Sequence, residues 1–203
     1  MKDLNKILLF LFLAAVVQSC KNESLESDKD SKESISERFY NLEKIGWKSR
    51  SYTQNIGKIG YTAIEVPIQY YLLKDLGAEN VLSVDSVYNA NNRERVIEFT
   101  FEEEKGKDLL SEEFTEMDYT NSVKYLSFSL DRDFYAVTSS HDTIPCSGVS
   151  YERNYKIAPF QRVLLFFSGI SPTEKIQLVY HDQLFKNGTL KFQFNQTYTR
   201  IEL

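Results

Sequence analysis

Apolar and polar positions along the chain fall into three successive regimes. Behind Lys2 and Lys6, residues Ile7 to Val17 (ILLFLFLAAVV) form an unbroken apolar run that closes on Gln18, Ser19 and Cys20. Residues 21–34 (KNESLESDKDSKES) then hold a single apolar side chain, Leu25, too little to offset the entropy of ordering. Beyond Ser34 apolar residues return with regular spacing. The pattern predicts a leader over 1–19, a solvated tether over 20–34 and one folded body over 35–203.

Within the body, Ser34 and Glu37 have capping-box spacing, Ile35, Phe39, Leu42 and Ile45 share one helical face, and Gly46 stands where a helix ends. A short N-terminal helix is expected there. From Trp47 the period changes to two, the signature of strands with one buried face. Ile64, Val66, Ile68 and Tyr70 read as one strand, with Pro67 marking an edge or a bulge. Val81 to Tyr88 reads as another, Ile97, Phe99 and Phe101 as a half-exposed strand, and Leu126, Phe128 and Leu130 as a further repeat of the pattern. Phe134–Thr138 and Ile144–Tyr151 flank the turn-rich Ser139 to Asp142 as a hairpin, and the wholly apolar Val163 to Phe167 suits a central strand covered on both faces. Ile176–Phe185 and Thr189–Asn195 read as a last hairpin, joined through Asn187-Gly188 as a type I′ turn. A short inserted helix is expected over Asp108–Met117. Many short strands between regular turns predict a mostly β chain, an antiparallel β-sandwich.

Composition strengthens this picture. The 203 residues include 14 Phe and 13 Tyr, side chains that pack best in half-buried strands and between sheets. The net charge of −5, with no local Lys/Arg cluster, argues against nucleic acid as a partner. The apolar run at 7–17 is well short of the roughly 20 residues a spanning helix needs, and its n-region, h-region and cleavage-site order is that of a secretory signal.

Val17, Gln18, Ser19 and Cys20 resemble the lipobox of bacterial lipoproteins, in the looser form ending in Ser-Cys that is familiar from Bacteroidota; Gln18 departs from the more usual small residue. The resemblance implies a diacylglyceryl thioether on Cys20, removal of the leader, and an envelope protein held to a membrane, the outer membrane being expected. Two acyl chains suffice for stable anchoring where one does not. The acidic residues of the tether are similar to the segment that directs surface display in some Bacteroidota lipoproteins, although tethers are generally polar. Residues from Val163 onward loosely resemble the closing strands of immunoglobulin-like domains in bacterial lipoproteins.

Candidate chemistry is sparse. The cysteines are Cys20 and Cys146; with Cys20 lipidated, Cys146 has no partner and reads as a buried small hydrophobe. His141 and His181 each precede an aspartate, a step that looks catalytic but is also ordinary turn chemistry, and Cys146 lacks the context of an activated nucleophile. No zinc-ligand spacing, EF-hand loop, P-loop, GxGxxG or GxSxG occurs, and Glu102 to Glu104 reads as a solvated strand end. The expectation is therefore no enzyme, no metal and no cofactor. Asp85-Ser86-Val87 and Asp142-Thr143-Ile144 look like the acceptor sequence of Bacteroidota O-glycosylation. Tyr70, Tyr71, Tyr151, Tyr155 and Phe160 are candidates for a sugar-stacking platform. Three roles follow as expectations: a ligand- or partner-binding lipoprotein, an immunity or inhibitor lipoprotein acting on a toxin or hydrolase, or a surface glycan binder.

Overall fold

The computed structural model describes residues 50–76, 81–155 and 157–195. The leader, Cys20, the tether and the expected helix near 35–45 lie outside them. Strands β1 (Arg50–Ile56) and β2 (Ile59–Val66) form a hairpin. Gly57, at φ 60°, takes the first place of its two-residue turn, where a side chain would be strained. Helices α1 (Ile68–Leu76) and α2 (Val81–Ala90) follow and pack on each other, before β3 (Arg95–Glu103) returns to the sheet. Then come α3 (Glu112–Thr115), α4 (Tyr119–Phe128) and a 3₁₀ turn (Leu130–Asp133). The remaining strands are β4 (Phe134–Thr138), β5 (Thr143–Pro145), β6 (Gly148–Glu152), β7 (Phe160–Phe167), β8 (Ile176–Asp182) and β9 (Gly188–Phe194).

Two antiparallel sheets result, ordered β1-β2-β3-β7-β6 and β5-β4-β8-β9. With β2 taken as strand A, these are the orders A-B-E-D and C′-C-F-G of an immunoglobulin-like sandwich, extended by β1 and by helices between A and B and between B and C. The expected fold class is what the chain adopts. Inward-facing Tyr61, Phe99, Phe101 and Val163 of one sheet meet Phe134, Leu178, Tyr180 and Phe192 of the other, all buried. Phe99 lies edge-on to Phe134, Tyr180 and Phe192 at 5.0, 5.5 and 5.3 Å, and Phe134 stacks on Tyr180 at 4.3 Å. Such pairs add to the stabilisation that burial alone gives.

Several elements differ from the sequence expectation. Ile64 to Tyr70 is not one strand: β2 stops at Val66 and Pro67 opens α1, since proline's fixed φ and missing N–H suit a helix start better than a ladder. Ile64, Val66 and Tyr70 still share one apolar cluster, now across a strand-helix corner. Val81 to Tyr88 is helical, with Val84 and Tyr88 buried one turn apart and Ser83 and Ser86 exposed. Leu126 to Leu130 spans the end of α4 and the start of the 3₁₀ turn, and the inserted helix expected over 108–117 is reduced to α3 because Glu116 takes φ 55° and stops it. Ile144 to Tyr151 is divided. The Cys146 N–H bonds Phe134 O in one sheet and the Ser147 N–H bonds Phe166 O in the other, so the chain changes sheets there. Val163, Leu165 and Phe167 of β7 are buried, whereas Leu164 and Phe166 are half-buried, so only one face is fully covered. The last hairpin pairs Asp182 with Gly188, giving a five-residue connection in place of the two-residue type I′ turn.

Candidate binding surface at the loop end

The register places the β1–β2 turn and the connections β3 to α3, β6 to β7, and β8 to β9 at one end of the sandwich. The chain enters β1 at the other end, where Arg50 pairs with Glu65. That entry end carries a buried ion pair between Arg95 and Glu65; Arg95 also donates to Ser171 O at 2.9 Å and thereby ties down the loop before β8.

At the loop end, Asp182 is a buried hub. Its carboxylate accepts from Tyr61 Oη at 2.7 Å, Tyr180 Oη at 3.0 Å and the Phe185 N–H at 2.8 Å. Asn187 Nδ2 donates in turn to Tyr61 Oη at 2.6 Å. Burial, reinforced by this carboxylate, pushes both phenols above their ordinary range. Asp133 sits nearby, half-buried, its Oδ2 without a hydrogen-bond partner; desolvation and then the charge of Asp182 raise its pKa to about 6. Glu103 closes β3 by accepting from the N–H groups of Lys107 and Lys105 at 2.9 and 2.8 Å, which holds its carboxyl below the usual range. With its acceptor positions taken by buried donors, Asp182 organises the fold at this end.

The β6–β7 connection is different in character, because it turns its side chains outward. Asn154 Nδ2 donates to Ala158 O at 3.0 Å and to Phe160 O, and the Ile157 N–H donates to Asn154 O at 3.0 Å. Around this brace Tyr155 takes φ 51°, and Tyr155 and Ile157 stay 69% and 88% exposed. The Arg153 guanidinium lies 4.8 Å from the Tyr155 ring centroid and 5.7 Å from that of Tyr119, the first residue of α4. Tyr151 stands beside them, half-buried, donating to Gln161 Oε1 at 2.6 Å; burial pushes its phenol up to about 12. An open groove of about 340 Å³ runs alongside, lined by Lys107, Ile157, Ala158, Pro159 and Gln161 among others.

The residues singled out in the sequence are thus only partly brought together. Tyr155 lies against Arg153, and Tyr151 is close enough to feel its charge; Phe160 lies on the other face of β7 under Arg162; Tyr70 and Tyr71 pack edge-to-face on α1. The five aromatics do not form one platform. His141 sits in the β4–β5 turn at φ 69°, and His181 lies on β8 with Nδ1 2.8 Å from Thr189 Oγ1. Cys146 is buried at the sheet crossover, donating to Gly148 O at 3.1 Å, and burial raises its thiol pKa. The histidines and Cys146 therefore occupy separate structural settings. Glu102 and Glu104 are exposed while Glu103 is buried; Ser86 and Thr143 are exposed on α2 and β5. Among the described residues no group of three His, Cys, Asp or Glu could hold a metal ion, and no helix is long and apolar enough to cross a membrane. Arg153 and Tyr119 were missed in the sequence because only the fold places a residue of α4 beside the end of β6.

No protein-family model and no curated protein matches the chain. A crystal structure of a novel protein of unknown function from Burkholderia pseudomallei is similar at a TM-score of 0.38 and 8% identity, covering 84% of this chain and 89% of that one. A likeness of that degree adds nothing to the fold read from the strand order.

Proposed function

We propose that the protein is a lipid-anchored lipoprotein of the bacterial cell envelope that binds a partner through the loop end of its sandwich. The observation that carries the reading is the leader ending in Val17-Gln18-Ser19-Cys20, followed by a polar tether. A lipid on Cys20 fixes one end of the chain to a bilayer, while β1 begins at Arg50 at the end of the sandwich opposite the Tyr155 loop. The exposed Tyr155 and Ile157 supply the aromatic and aliphatic contact area that a recognition surface requires. A binding role, in preference to a catalytic one, is supported by Asp182 being committed to fold hydrogen bonds and by the separation of Cys146 from both histidines.

Two measurements test the two halves of the reading. Wild-type protein is expected in the membrane fraction and labelled by an alkyne fatty acid, with Cys20→Ala unlabelled and soluble; a soluble wild type or an unmodified thiol at the mature N-terminus sinks the anchoring. A photo-crosslinking residue at Ile157 is expected to give a discrete adduct in living cells, and the same residue at exposed Ser51 none. Equal adducts from both positions would sink the loop-end assignment.

A further inference from the structure

The Arg153 guanidinium is unusual in its surroundings. It lies against two tyrosine rings, and among the described residues no carboxylate forms an ion pair with it. Neighbouring acids are otherwise engaged. Glu152 faces Arg162 at 3.5 Å, Asp118 accepts from the Asn121 N–H at 2.8 Å, and Asp108 accepts from the Leu110 N–H at 3.1 Å. Stacking between rings limits the rotamers of an arginine while leaving the edges of its planar fork, which match a carboxylate, free to donate. The Tyr155 ring is held on it by a left-handed backbone residue, a conformation that costs a non-glycine side chain about 1 kcal/mol or more and that the Asn154 brace sustains.

We propose that Arg153 anchors a carboxylate from an acidic peptide segment of a protein partner, with Tyr155 and Ile157 receiving the apolar side chains beside it. This deepens the loop-end binding reading and rests on it. The unneutralised guanidinium supplies the charge complementarity. Ile157 decides for a peptide over an acidic sugar: an aliphatic side chain offers sugar hydroxyls no hydrogen-bond partner, whereas an aliphatic peptide side chain gains by burial against it and in the adjoining groove. Tyrosine and arginine are also the residue types on which protein interfaces concentrate their binding energy.

The test uses the mature chain carrying Cys20→Ala, labelled with ¹⁵N and titrated with acetyl-Leu-Glu-Leu-Glu-Leu-amide, its Gln counterpart, and tri-glucuronate. Saturable shifts are expected at the Arg153 Nε–H and the backbone of residues 153–158 with the Glu peptide. Affinity should fall about tenfold for the Gln peptide, and about tenfold for Arg153→Gln at an unchanged melting temperature, as loss of one charge-assisted pair predicts. Arg153→Lys, which keeps the charge and loses the fork, should fall between. Equal affinity for both peptides, shifts confined to other surfaces, or tighter binding of tri-glucuronate would each overturn the proposal. None of these outcomes alters the Ile157 adduct or the membrane fractionation, so its failure is distinguishable from failure of the broader reading.

Discussion

Asp133 shows how far one side chain's chemistry can be set by a fold that its neighbours in sequence do not announce. Its pKa of about 6 comes from desolvation and from Asp182, which reaches it only because β4 and β8 pair. A folded-state pKa raised above the unfolded one contributes stability that is complete below the unfolded value, near 4, and is lost as pH rises through about 6. Asp133→Asn is therefore expected to raise the melting temperature at pH 7.5, with the difference closing as pH is lowered towards 4. Because the side chain is half exposed, the gain is about 1 kcal/mol rather than the full value of the shift, a few degrees in a thermal melt. Cys146 is the opposite case, legible from the sequence as a buried thiol without a partner. Its raised pKa and burial predict that Ellman's reagent leaves it untouched in the Cys20→Ala mature chain until denaturant unfolds the body.

At the scale of elements, what could be read was set by how local the signal is. The alternation of Ile97, Phe99 and Phe101 and the turn between β4 and β5 are local, and both are observed. Val81 to Tyr88 failed because its β-branched residues favour strands by propensity while Val84 and Tyr88 sit at helical spacing, and packing against α1 decides between the two. Asn187-Gly188 failed because a non-local partner outweighs the local turn preference: Asp182 gathers Tyr61 from 121 residues away and the Phe185 N–H from three, which fixes a longer loop. The candidate surface was legible only in its Tyr151 and Tyr155. If Asp182 sets the β8–β9 connection, Asp182→Ala, which strands two buried phenols and an amide, should cost about 3 kcal/mol or more in chemical denaturation. Tyr61→Phe, which removes the hydrogen bonds to Asp182 and from Asn187 and leaves the rest of the hub, should cost about 1–2 kcal/mol. Equal losses for the two variants would assign the loop to apolar packing instead.

On the scale of the whole molecule, an immunoglobulin-like sandwich must join its sheets without the disulfide between strands B and F that antibody domains use. The corresponding β3 and β8 here carry Phe99 and Tyr180, with Phe134 and Phe192 completing an aromatic bridge across the sheets. A disulfide acts mainly by restricting the unfolded chain, whereas this bridge acts by burial and ring packing in the folded one. Stability of the body should accordingly be indifferent to redox conditions and sensitive to the shape of the bridge. In the Cys20→Ala mature chain, the melting temperature is expected to be the same with and without dithiothreitol, while Phe99→Ala costs about 3–5 kcal/mol and Phe99→Leu, which keeps much of the volume, distinctly less. A fall in melting temperature on reduction would mean that Cys146 is engaged in a bond between chains, and a small loss for Phe99→Ala would place the joint between the sheets elsewhere.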